Sequence, residues 1–105
     1  MRTVVPVLAV LGIFGFGQHA LAYDFVGVGA WSCAAWLDAR KNLRSNELEQ
    51  WTLGFLSGVG FVGKDGVNPL RDLPPQAVSE WMDHYCQRHP KDTIVRGAEL
   101  FSVTQ

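Results

Sequence analysis

The sequence predicts a small all-α domain of four helices, stapled by one disulfide and preceded by a removable leader. Three observations carry this reading. Apolar residues recur at helical spacing in four segments, separated by clusters of proline, glycine, asparagine and serine. Only two cysteines are present, Cys33 and Cys86, one near each end of the mature region. No pair of strand-like segments of useful length, no internal repeat and no low-complexity tract interrupts the pattern.

The leader is residues 1–22. Arg2 and the amino terminus form a positive start, Val4 to Gly17 is a 14-residue stretch without charge, and Ala20-Leu21-Ala22 supplies small residues before Tyr23. This is the three-part pattern of a secretory signal peptide. The apolar run is shorter than the roughly 20 residues a spanning helix needs. The expected domain is therefore residues 23–105, exported to the periplasm or secreted, with no stable membrane span after cleavage. In that oxidising setting an isolated cysteine pair bonds. A Cys33–Cys86 bridge encloses the 52 residues between them. By chain entropy it is worth about 4 kcal/mol, comparable to the whole net stability of a small domain. No free thiol is expected.

After an arm of extended chain, Tyr23 to Ala30, Ser32 is placed to cap a first helix over CAAWLDARKN. Cys33, Trp36 and Leu37 share one face, with Asp38, Arg40 and Lys41 turned outward. Ser45 or Asn46 starts the second helix, and Asn46 with Glu49 has the spacing of a capping box. Leu48, Thr52, Phe55, Leu56, Val59 and Val62 form one stripe of it, and Trp51, Leu53 and Phe61 extend the apolar surface. From Trp51 to Gly63 there are 13 residues and no charge. A helix apolar nearly all round is expected to be buried. Gly54, Ser57 and Gly58 are then expected to admit another helix closely, so that Gly58→Leu overpacks the contact.

Residues Lys64 to Leu73, with Gly66 and Pro69, read as a loop. Pro74 and Pro75 suit the first turn of a third helix. There Val78, Trp81, Met82 and Tyr85 point inward beside Ala77 and Cys86, and Glu80, Asp83, Gln87 and Arg88 outward. Pro90 ends that helix and opens a fourth, with Ile94, Val95, Ala98 and Phe101 inside and Lys91, Asp92, Arg96 and Glu99 outside.

Composition narrows the function. Residues 23–105 carry eight Lys and Arg against ten Asp and Glu, a side-chain charge of −2 with His neutral. There is no basic excess to bind nucleic acid, and too many apolar residues for a disordered chain. No catalytic or cofactor-binding residues and no metal ligands are assigned. His84 and His89 are five apart across a helix-ending proline, and zinc needs three or four convergent ligands. No serine lies in a nucleophile-elbow context, and the glycines do not follow a strand. The protein is expected not to be an enzyme. Four tryptophans are many for 83 residues, and Trp31 and Trp36, around the start of the first helix, are the candidates for contact with a partner.

The layout resembles the HdeA/HdeB family of small periplasmic proteins: a signal peptide, a cysteine opening a first short helix (SCAAWLDA, around Cys33), an apolar glycine-bearing central helix (WTLGFLSGVG, residues 51–60) and a second cysteine late in a further helix (YCQRHP, around Cys86). The resemblance implies an HdeA-like helical domain with the Cys33–Cys86 bridge, and chaperone activity in the acid-stress response. In strong acid the side chains of residues 23–105 go from −2 to about +10, which favours expansion. A second resemblance is to the Rap1a/Tai-type immunity proteins, carried by YCQRHPKDTIVRGAELF, and implies inhibition of a secreted toxin enzyme. Expected partners are other proteins (unfolding clients, or one cognate enzyme) or a second copy of the chain in a homodimer.

Overall fold

The computed structural model describes residues 24–63 and 68–104. The leader, residues 1–22, and part of the connection after the second helix lie outside the described residues. Four helices follow a short 3₁₀ turn at Val28–Ala30: α1 at Cys33–Lys41, α2 at Asn46–Val62, α3 at Pro75–Arg88 and α4 at Ile94–Thr104. The expected all-α architecture and its disulfide are present. Cys33 is joined to Cys86 with the Cα atoms 4.9 Å apart, and both residues are fully buried.

Each helix begins for an identifiable reason. Ser32 caps α1, its hydroxyl accepting from the Ala35 N–H at 3.2 Å. Two further N–H groups of α1 would be orphans of the first turn. They are satisfied across the fold: Cys33 N–H donates to the Asp92 carbonyl at 2.6 Å and Ala34 N–H to the Pro90 carbonyl at 3.0 Å. Pro75 opens α3, where a missing N–H costs nothing. The fourth helix does not start at Pro90 as the sequence suggested. Residues 90–93 form the turn that meets α1, and α4 begins at Ile94, with the Thr93 hydroxyl accepting from the Arg96 N–H at 3.2 Å. Ser45 is the residue before α2, but its hydroxyl donates to the Glu49 side chain and makes no backbone cap. The expected capping box is absent because Glu49 is taken up elsewhere.

The core lies where α1, α3 and α4 meet and continues along one side of α2. Trp36, Leu48, Met82, Tyr85 and Ile94 surround the disulfide, and Leu56, Val78, Ala98 and Phe101 form a second cluster. Trp81 packs against both, stacked on Tyr85 at 5.5 Å and edge-on to Phe101 at 5.3 Å.

The largest departure from expectation is in α2. Only Leu48, Thr52 and Leu56 are buried. Phe61 is 90% exposed and Val62 72%. An added Cβ at Gly54 or Gly58 would meet nothing within 4 Å, so neither glycine seats a neighbouring helix. An uncharged run signals what a helix is able to bury; whether a partner element exists to bury it is a separate matter, and the helices among the described residues do not surround α2.

The close helix contact is at Gly97 on α4. A Cβ there would lie 2.9 Å from both Met82 Cε and Tyr85 Cδ2 on α3. Gly97→Val is expected to lose about 1–3 kcal/mol through overpacking, whereas Gly58→Ala should gain up to about 1 kcal/mol from helix propensity. Urea denaturation of the two variants tests this, and a Gly58→Ala loss as large as that of Gly97→Val would contradict it.

Candidate protein-interaction surface

The side chains expected to carry function divide between core and surface. Trp36 is fully buried, and its indole N–H donates to Asp83 Oδ1 at 2.8 Å. It therefore presents nothing to a partner in the folded state, contrary to its place among the candidates. Trp31 is 51% exposed. It lines an open cleft of about 530 Å³ with Ala35, Ala39 and Leu48, beside Asp38, Glu47 and Arg44. The Arg44–Asp38 pair at 3.4 Å is two-thirds exposed on both sides, where such pairs contribute little. His84 and His89 are exposed. Among the described residues no group of three His, Cys, Asp or Glu side chains is placed to hold a metal ion.

Two residues read as outward-facing are half-buried and linked. Arg40 of α1 meets Asp83 of α3 through two parallel bonds, Nε to Oδ1 and Nη2 to Oδ2, both 2.8 Å. Its Nη1 reaches Glu49 Oε2 of α2 at 3.2 Å. Glu49 also accepts from the hydroxyls of Ser45 and Ser79. Three helices thus share one cation and two carboxylates. The bidentate bond to Asp83 is the main cause that holds the Arg40 pKa above its ordinary value. Its evident work is to hold α1 against α3 and the start of α2.

The other distinctive region is on α2. Trp51, Phe55, Gly58 and Val62 recur at helical spacing and form one stripe. Trp51 and Phe55 stack in parallel, centroids 5.5 Å apart. The arm before α1 was expected to be extended chain; it instead turns at Gly27, whose φ is 95°, into the 3₁₀ turn. It lies on the first half of the stripe. The Trp51 indole N–H donates to the Val26 carbonyl at 3.1 Å, and Phe25 meets Phe55 edge-on at 6.1 Å. Gly29 is buried flat on the indole, where a Cβ would be 2.1 Å from Trp51 Cη2. The second half of the stripe, with Phe61 beside it, is bare. Ser57 brings no unmet polar group there, since its hydroxyl donates to the Leu53 carbonyl at 2.8 Å.

Sequence reasoning missed this surface. The available signal was the Gly27-Val28-Gly29 spacing ahead of the first helix, which marks a chain that must pass close to something flat. No helix among the described residues is long and apolar enough to cross a membrane. Compared with protein-family models, curated proteins and solved structures, the chain has no significant match.

Two outcomes follow from this geometry. Asp83→Ala removes both bonds to Arg40 and the acceptor for Trp36, leaving a half-buried cation and indole N–H without that partner. The expected cost is about 2–4 kcal/mol, read as a lower urea midpoint; an unchanged midpoint would show that the clasp is not stabilising. The second concerns Tyr85, whose hydroxyl donates to Asp92 Oδ2. Burial first, then that bond, push its pKa up to about 12. In an unfolded chain a tyrosine ionises near pH ~10. The folded state therefore keeps the proton longer. The resulting stability is complete below about pH 10 and is lost as pH rises toward 12. Wild type should lose stability more steeply over that window than Tyr85→Phe, and parallel curves would refute the assignment.

Proposed function

We propose that this protein is a non-enzymatic protein-binding protein of the periplasm or the secreted fraction, chaperone-like in the manner of the HdeA/HdeB type, and that it meets its partners through the outer face of α2. The observation that carries the reading is the exposed apolar surface at the uncharged end of that helix, where Phe61 is 90% and Val62 72% exposed and Gly54 and Gly58 face open space. Exposed apolar surface of this kind on a small domain marks an interaction site. Two of its three glycines, Gly54 and Gly58, weaken the helix while giving no close contact inside the molecule.

The Arg40 clasp supports an acid-linked mode of action. In strong acid carboxylates are protonated, while the guanidinium stays charged. The ion pairs that tie Arg40 to α3 and α2 are then expected to weaken, as the rest of the chain becomes strongly positive. Helix α1 loosens at that end, and Cys33–Cys86 still holds the other. The partial opening uncovers the tryptophans of the first cluster.

A second reading, a dedicated enzyme inhibitor, is favoured by the α1–α2 turn. Leu43 is 92% exposed with a φ of 56°, a conformation that is uncommon for a leucine. It stands next to Arg44, at the edge of the Trp31 cleft.

The test is light scattering from an aggregating client protein, near neutral pH and at about pH 2–3. Wild type should suppress aggregation more strongly in acid. Replacing both Phe61 and Val62 by serine should reduce suppression severalfold without lowering the melting temperature, because neither side chain is in the core. Full suppression by that variant would remove the α2 face from the reading. No suppression by wild type at either pH would remove the chaperone function and leave the inhibitor.

A further inference from the structure

The arm and the disulfide are packed together. The arm is pinned in its middle, at Val28 and Gly29. Gly29 is buried on the Trp51 indole, with no room for a Cβ between them. Val28, next to it, packs against the core cluster that contains Cys33 and Cys86. Its carbonyl also closes the 3₁₀ turn, accepting from the Trp31 N–H at 3.0 Å. A glycine lying flat on a ring fixes the height of the turn above α2. The seat on Trp51 therefore governs how closely Val28 approaches the cluster.

Both cysteines are fully buried. The other buried members of their cluster, Trp36, Leu48, Met82, Tyr85 and Ile94, all stand on helices. Val28 stands on a three-residue turn whose neighbours Val26 and Ala30 are exposed. Beyond the turn the chain is fixed again, since the Trp31 carbonyl accepts from the Ile94 N–H at 2.9 Å. Segments with few buried contacts open at a lower free energy than packed helices. Among the elements around the bridge, the arm is the one that lifts without unfolding a helix, pivoting at Trp31.

We infer that the arm is a latch over the Cys33–Cys86 bridge: with Gly29 seated on Trp51, Val28 closes the bridge to thiols, and lifting the arm opens it to exchange with a dithiol. In that exchange a thiolate of the dithiol bonds to one bridge sulfur, and the other leaves as a thiolate. The second thiol of the reagent then displaces the mixed disulfide. Cys33 and Cys86 end as two thiols and the dithiol as a disulfide, two electrons and two protons having passed to the protein. The bridge is thus a redox site gated by the arm.

The experiment follows reduction of the oxidised protein by dithiothreitol at neutral pH, at urea concentrations below the unfolding transition. Freed thiols are alkylated and counted by mass spectrometry. Wild type is expected to be reduced slowly, at a rate nearly independent of urea, because a lifted arm exposes little surface. Val28→Ala thins the cover, and Gly29→Ala puts a Cβ into the Trp51 ring. Both are expected to be reduced at least tenfold faster than wild type, again nearly independently of urea. Val78→Ala lies in the other core cluster and controls for lost stability. It is expected to lower the urea midpoint and leave the rate without urea unchanged. A wild-type rate that climbs steeply from the first addition of urea overturns the proposal, because the bridge then reacts only in the unfolded chain. So do arm variants reduced no faster than wild type, or a Val78→Ala rate that matches theirs. If Gly29→Ala does not fold, Val28→Ala and the urea series on wild type decide the matter by themselves.

Discussion

The structure depends on how a nine-residue helix is kept in place. Helix α1 is too short to be stable alone, yet it carries Trp36, the largest fully buried side chain. It is fixed at both ends. At its start the disulfide to Cys86 and the N–H bonds to the Asp92 and Pro90 carbonyls join it to the α3–α4 corner. At its end Arg40 joins it to Asp83 of α3 and Glu49 of α2. Asp83 serves both purposes, since it also accepts from the Trp36 indole and so ties the core to the clasp. One attachment is covalent and indifferent to pH; the other is made of carboxylates and a guanidinium. The same short helix is thus held by a covalent bond at one end and by ion pairs at the other.

The glycines show where chain approaches chain. Gly97 lets α4 reach Met82 and Tyr85, and Gly29 lets the arm lie on Trp51. Gly54 and Gly58 have open space in front of them. In the helix interior they cost stability and give nothing back within the molecule. That contrast separates glycines placed for this fold from glycines on a surface left open.

Much of the architecture was legible because it follows from local rules. The four helices, the Ser32 cap, Pro75 at the start of α3 and the inward faces of α3 and α4 all come from periodicity and capping chemistry. What was not legible depended on tertiary placement. Arg40 and Asp83 were read outward because a charge on an amphipathic helix is ordinarily solvated; their pairing joins positions 43 apart in sequence, and periodicity carries no information about it. Trp31 and Trp36 lie on the same short stretch, yet one is half exposed and the other fully buried. Helix α2 reads as enclosed because it is uncharged from Trp51 on, and that run marks surface as much as core.

This last point bears most directly on function. A domain of this size buries a smaller fraction of its surface than a larger one, so an apolar helix placed in it stays partly uncovered unless something else covers it. Solubility alone would favour charge on the outer side of α2, as α3 carries with Glu80 and Arg88. The stretch from Gly54 to Val62 has none. Half of the stripe it borders is covered by the arm through contacts that leave Val26 almost bare. From Trp51 to Val62 the helix is uncharged and its outer stripe is only half covered by the arm, which leaves Phe61 and Val62 facing solvent.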